Sequence, residues 1–175
     1  MAEPLNIALA GLGTVGSGVV RLIETNAELI ARRARRPIRI AAVSARDRNK
    51  DRGVDLSPYH WFDDPAEMAA RPDIDVVVET VGGSDGPALT LARKTLGNGK
   101  SFVTANKAMI AHHGLELAAA AEAAGVALKF EAAVAGGIPV IKGLSEGAAA
   151  NVIERVYGIL NGTCNYILST MEDTG

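Results

Sequence analysis

The sequence predicts a doubly wound α/β fold, an open and mostly parallel sheet with helices on both faces, and three observations predict it. Short apolar runs alternate along the chain with segments of helical spacing. The run at 74–81 (IDVVVETV) is apolar on both faces of a strand, as suits a central parallel strand covered from each side. A glycine cluster, GLGTVGSG at 11–18, ends the first run and opens the first helical segment.

Residues 5–10 are apolar and β-compatible, and the glycines stop them in a tight loop. From Val15 onward Val19, Leu22, Ile23 and Ile30 recur at helical intervals. Arg32, Arg33, Arg35 and Arg36 place cations near that helix's C-terminus, and Pro37 ends it. Residues 38–45 (IRIAAVSA) form the second strand, followed by the charged, solvated loop RDRNKDRG. The third strand is 74–81. Residues 87–96 are helical with GNG as their stop, 101–105 are a strand, and 115–124 are an alanine-rich helix closed by Gly125. The chain returns as a strand at 127–134, and Pro139 opens a short helix ending near Gly147.

After Asn151 the pattern changes: VIERVYGIL is expected as a strand and NGTCNYILSTM as a turn with the first turns of a helix. Such a pair cannot bury both its faces by itself. The expected organisation is therefore a dinucleotide-binding domain at 1–150 and, at 151–175, the start of a second, α+β domain whose remainder is absent. With 175 residues the chain has room for one sizeable core.

Composition narrows the function. The chain is 48% hydrophobic and 22% charged, which excludes a disordered or fibrous class. Eighteen basic against twenty acidic residues leave a net charge of −2, with no general attraction for nucleic acid or an anionic membrane, so a small-molecule partner is expected. The single cysteine, Cys164, excludes an internal disulfide framework, and three scattered histidines make no Cys/His zinc site. A reducing, cytoplasmic setting is expected. No apolar run approaches the ~20 residues of a membrane span, and the N-terminus has no export signal.

GLGTVG at 11–16 is a GxGxxG in the setting that dinucleotide binding needs, after a strand and opening a helix. Gly11 permits the tight turn, Gly13 lets the backbone approach a pyrophosphate, and Gly16 lets helix and strand pack closely. Thr14 and Val15 lie between them at the helix N-terminus, whose free N–H groups and positive dipole end suit phosphate. Thr80, at the carboxyl end of the third strand, and Gly82, just past it, are assigned to the cofactor too. After the second strand, Ser44 and Ala45 stand where an acid would bind the adenosine ribose of NAD, and Arg46, Arg48 and Lys50 follow. This favours NADP through Arg46, with NAD still open because Asp47 could turn inward.

TANKAMIAHHG at 104–114 puts Asn106 and Lys107 past another strand's carboxyl end. An ammonium there can hydrogen-bond a substrate oxygen and exchange a proton with it, although a surface lysine capping a loop is an equal reading. In FEAAVAGGIPVIKGL at 130–144, Glu131 on a strand and the carbonyls near Gly136 and Gly137 could hold a hard cation, while the residues alone favour a plain turn. His112 and His113 read as the polar start of a helix, Cys164 as a small side chain, and Glu79 as a cleft-edge group of unspecified role.

The motifs GLGTVG, VSARDRNKDRGVDL, VVVETVGG, TANKAMIAHHG, FEAAVAGGIPVIKGL and GILNGTCNYILSTM, in this order, resemble those of homoserine dehydrogenase over nearly the whole chain. The resemblance implies reversible NAD(P)-dependent interconversion of L-homoserine and L-aspartate 4-semialdehyde in threonine, methionine and isoleucine biosynthesis. It implies proton transfer by Lys107 beside the nicotinamide. It also implies a monovalent cation, usually sodium, on Glu131, Val134, Gly136 and Ile138, with Asn161, Gly162 and Thr163 lining the substrate site. Cys164 replaces a common second threonine. The family continues into a substrate and dimerisation domain, so a homodimer is expected of the whole protein and little or no activity of this chain. Two rivals remain: another NAD(P)-dependent semialdehyde or amino-acid dehydrogenase, which NGTCN argues against, and a non-catalytic NADP-binding regulatory module.

Overall fold

The computed structural model describes residues 2–158 and 162–174. The chain divides into two compact units, Met1–Phe130 and Glu131–Gly175. That division falls ahead of the boundary read at 150.

The first unit is built on six parallel strands in the order β3-β2-β1-β4-β5-β6. They are β1 (Leu5–Ala10), β2 (Ile38–Ser44), β3 (His60–Phe62), β4 (Val76–Glu79), β5 (Ser101–Thr104) and β6 (Leu128–Lys129). Helices α1 (Thr14–Thr25), α2 (Ala27–Ala34), α3 (Pro87–Gly97) and α4 (Lys107–Ala124) join them. The expected doubly wound, Rossmann-type sheet is thus present. Strand alternation divides its core: Ile7 and Leu9 of β1 pack with Val20, Ile40 and Val43 on one side, while Ala8 and Ala10 pack with Leu91, Leu96, Phe102, Met109 and Leu117 on the other. Each fully buried Leu, Phe or Met contributes about 1.5–3 kcal/mol.

Several elements differ from expectation, each for a local reason. The first helix breaks at Asn26 into α1 and α2 and ends in Arg35, a left-handed C-cap at φ 61°. Helix α4 begins at Lys107, eight residues before the expected Leu115, because the Asn106 side chain caps it by accepting the Met109 N–H at 3.1 Å. His112 and His113 are consequently inside a helix. Strand β3 and the 3₁₀ turn Pro65–Ala70 follow the charged loop and were not expected.

In the second unit, Glu131 is not on a strand. It opens the 3₁₀ turn Glu131–Ala133, followed by a second turn, Ala135–Gly137, and by α5 (Val140–Lys142) running into a wider turn at Gly143–Gly147. Residues 152–158 are not the expected strand, and residues 159 and 160 of that run lie outside the described residues. A strand needs a neighbour to pair its N–H and C=O groups, and among the described residues this unit has none. The helix expected after it is present as α6 (Gly162–Thr174). Among the described residues no helix is long and apolar enough to cross a membrane.

Candidate functional site

Ser44, Ala10, Glu79 and Thr104 are register partners across β2, β1, β4 and β5, so four strands end on one row. Chain order reverses between β1 and β4, which is where open α/β sheets bind ligands. The glycine loop leaves β1 here, Thr80–Gly83 leaves β4, and Ala105–Lys107 leaves β5.

The three glycines of the loop do different things. Gly11 has φ 91°, and a β-carbon on it would lie 2.7 Å from the Thr80 backbone. One on Gly16 would lie 1.8 Å from the Gly11 carbonyl oxygen. A β-carbon on Gly13 would meet nothing within 4 Å. Packing thus requires Gly11 and Gly16, whereas Gly13 faces open space. Gly13 is the N-cap of α1 with no side-chain cap, and no acidic residue is in the first turn. The N–H groups of Thr14 and Val15 therefore stand at a helix end suited to a phosphate.

Beside this helix end lies a cavity of about 340 Å³, lined by Gly13, Thr14, Ser17, Arg21, Lys50 and Arg52 among others. Arg52 stitches its wall, donating to the carbonyls of Leu12 (3.0 Å), Lys50 (2.7 Å) and Asp47 while lying 5.8 Å from the Trp61 ring. Arg21 and Lys50 bring two further cations. Arg46 is exposed and does not line the cavity. Asp47 has not turned inward: its carboxylate accepts the Asn49 N–H of its own loop at 2.9 Å. Arg21 and Arg52 were missed in the sequence, though Thr14, Ser17 and Arg21 share one helical face by their spacing.

Thr80 donates its hydroxyl to the Gly11 carbonyl at 2.7 Å, tying β4's loop to the glycine loop. The N–H groups of Val81 and Gly82 go to the Glu79 carboxylate at 2.6 and 2.9 Å. Glu79, expected at a cleft edge, is instead wholly buried. Asn106 is buried as well, and its amide donates to the Gly83 carbonyl at 2.6 Å. Lys107, the first residue of α4, is exposed and belongs to no ion pair among the described residues. Near the start of α3, Asp85 pairs with His113 of α4 at 3.0 Å. The Ser84 hydroxyl first, then His113, hold the Asp85 carboxyl below its usual range.

In the second unit the Glu131 carboxylate accepts the N–H groups of Ile141 (3.1 Å) and Lys142 (2.8 Å), one on each oxygen. Ala135, Gly136 and Gly137 follow with φ of 55°, 58° and 100°, and the Ile138 carbonyl accepts the Val140 N–H at 2.8 Å. Val134 precedes them as an extended residue. Oxygen donors of this kind, a carboxylate and backbone carbonyls, suit a hard cation. Asn161 lies outside the described residues, and Gly162 and Thr163 are described only as the head of α6.

Comparison with known proteins agrees with this arrangement. A family model for the NAD-binding domain of homoserine dehydrogenase matches residues 11–131, and a second homoserine dehydrogenase model matches residues 139–175. The curated homoserine dehydrogenase of Neisseria gonorrhoeae is 49% identical over 174 residues, covering 99% of this chain and 39% of that protein. The crystal structure of a homoserine dehydrogenase from Thiobacillus denitrificans is similar with a TM-score of 0.84 at 46% identity, over 98% of this chain and 39% of that one. A hyperthermophilic archaeal homoserine dehydrogenase in complex with NADPH shares the fold, with a TM-score of 0.78 at 22% identity over 99% of this chain and 58% of that one. The chain thus spans about two fifths of the length of the curated relatives it matches. Because the first family model alone covers more than half of its residues, the chain belongs to the homoserine dehydrogenase family.

Proposed function

We propose that this chain is the cofactor-binding portion of a homoserine dehydrogenase, and that the whole protein interconverts L-homoserine and L-aspartate 4-semialdehyde with NADP(H), NAD(H) serving as well. The observation that carries this is Gly13: among Gly11, Gly13 and Gly16 it alone has a β-carbon position that meets no protein atom, and it caps an open helix N-terminus at the sheet's switch point. A bare backbone kept without a packing reason is what close approach of a pyrophosphate requires.

Gly11, Gly13, Thr14, Val15 and Gly16 hold the pyrophosphate, and Thr80 and Gly82 border the cofactor from β4. With its N–H taken by Glu79, Gly82 offers its carbonyl and Cα edge. Arg46 binds the adenosine 2′-phosphate, with Lys50 and Arg21 of the neighbouring cavity adding positive charge. When bound, nicotinamide supplies the hydride that turns the aldehyde into an alcohol. Lys107 donates a hydrogen bond to the aldehyde oxygen, gives it a proton during reduction, and takes one back during oxidation. Its exposure and, among the described residues, its lack of an ion-pair partner leave the ammonium available for this.

Glu131 with the carbonyls of Val134, Gly136 and Ile138 holds a sodium ion, and Asn161, Gly162 and Thr163 border the amino-acid substrate. Each Glu131 oxygen keeps a lone pair beyond the N–H it accepts. The dinucleotide-binding domain runs over residues 1–150 and the substrate domain starts at 151, a reading supported by the change of sequence pattern after Asn151. The whole protein acts as a cytoplasmic homodimer in threonine, methionine and isoleucine synthesis. The exposed Val152, Tyr157, Tyr166 and Leu168 support further burial of the second unit.

The test is homoserine-dependent reduction of NADP⁺ and NAD⁺ by the whole protein beside this chain. Turnover in the whole protein, absent or feeble in this chain, is expected. Tight cofactor binding with no turnover in either contradicts the reading and favours a regulatory module.

A further inference from the structure

Strand β4 is three valines followed by a glutamate, and Glu79 is fully buried between β1 and β5. A carboxylate there is costly unless it is fully bonded, and a fourth apolar residue would avoid the cost. No ion pair among the described residues includes it. One oxygen accepts the Val81 and Gly82 N–H groups, and the other accepts the hydroxyl of Thr104, its register partner on β5. Thr104 Oγ1 in turn accepts the Asn106 N–H at 2.9 Å. Asn106 closes the circuit on Gly83 and caps α4 through Met109.

The bonds form a ring that joins the carboxyl ends of β4 and β5. Lys107 is the residue after Asn106, and its backbone position follows from this ring. Thr80, within the β4 side of the ring, is bonded to Gly11. The same carboxylate therefore fixes the loop that leans on the glycine loop and, through one hydroxyl, the head of the helix that carries the lysine.

We infer that Glu79 is a positioning residue which, through Thr104 and Asn106, sets Lys107 against the cofactor loop. The inference rests on the proposed role of Lys107. Thr104 is the informative link because Thr104→Val keeps the shape and removes only the hydroxyl that connects Glu79 to Asn106, while Thr104→Ser keeps the hydroxyl. A small displacement of a reacting group lowers turnover on the order of 10²-fold without removing any substrate contact.

The experiment measures kcat and the homoserine KM of the whole protein, with NADPH affinity by fluorescence titration, for wild type, Thr104→Val, Thr104→Ser, Glu79→Gln and Lys107→Ala. Thr104→Val is expected to lower kcat on the order of 10²-fold with little change in KM, and Thr104→Ser to restore it to within a few-fold. Glu79→Gln, which also disturbs the loop bonded to Gly11, is expected to lower both kcat and NADPH affinity, and it carries the test should Thr104→Val not fold. Wild-type kcat in Thr104→Val, beside lost turnover in Lys107→Ala, overturns this inference alone. Retained turnover in Lys107→Ala overturns the role of Lys107 and this inference with it.

Discussion

Thr80 closes over Gly11: its hydroxyl donates to the Gly11 carbonyl at 2.7 Å, and its oxygen lies 2.9 Å from where a β-carbon on Gly11 would stand. The same oxygen is 2.9 Å from a β-carbon on Gly16. The end of β4 thus presses on the glycine loop at Gly11 and Gly16 but not at Gly13, which makes the three glycines separable by experiment.

Gly16→Ala places a methyl 1.8 Å from a backbone oxygen and is expected to destabilise the chain by about 1–3 kcal/mol, the usual cost of overpacking. Gly13→Ala meets no protein atom, so stability should stay within about 0.5 kcal/mol of wild type while NADPH affinity falls. Urea unfolding and NADPH titration of both variants decide this. Unchanged NADPH binding in a folded Gly13→Ala chain removes the main support for a cofactor at this loop.

Cofactor preference turns on which cation meets the 2′-phosphate. Arg46→Ala is expected to weaken NADPH about tenfold and leave NADH unchanged, as for loss of one charge-assisted hydrogen bond. Binding of both cofactors to Arg46→Ala, Arg21→Ala and Lys50→Ala supplies the comparison. A silent Arg46→Ala beside a tenfold NADPH loss in Arg21→Ala or Lys50→Ala would move the phosphate into the cavity beside α1.

Tyr59 donates its hydroxyl to Glu24 of α1, and burial first, then Glu24, push its pKa above the ordinary value near 10. Because the folded pKa exceeds the unfolded one, the associated stability is fully present below about pH 10 and is lost as the pH rises beyond it. Wild type should therefore lose stability relative to Tyr59→Phe above pH 10. Parallel pH profiles of unfolding for the two chains would sink this account of the α1 contact.

Asn106→Ala removes both the cap on Met109 and the tie to Gly83. A loss of about 0.5–2 kcal/mol is expected from the cap alone. Hydrogen exchange should show it as faster exchange at the first turn of α4, and unchanged protection there would contradict the capping role.

The alternation of β1, α1, β2, β4, α3 and β5 was legible because GLGTVG and the apolar run at 74–81 carry strong local signals, whereas β3 was not, because His60–Phe62 is only three residues long. The start of α4 was not, because only Met109, Leu117 and Ala121 of that helix are buried and its alanines blur the apolar stripe. Arg52 looked like one more charge in a solvated loop, since its partners are backbone carbonyls, which no side-chain pattern advertises. Glu79 drew notice as a break in an apolar strand, but its bonds to Val81, Gly82 and Thr104 depend on sheet register. Glu131 read as a strand residue because it falls within the run 127–134, whereas β6 pairs only through Leu128 and Lys129.

The most direct measurement of the central claim is homoserine oxidation by the whole protein with and without Lys107→Ala, alongside NADPH affinity. Turnover is predicted to fall by about 10²–10⁴-fold, the usual contribution of a positioned acid or base, with NADPH affinity within a few-fold of wild type. Equal turnover in the two proteins would contradict the role of Lys107, and with it the reading of this crevice as the site of proton transfer.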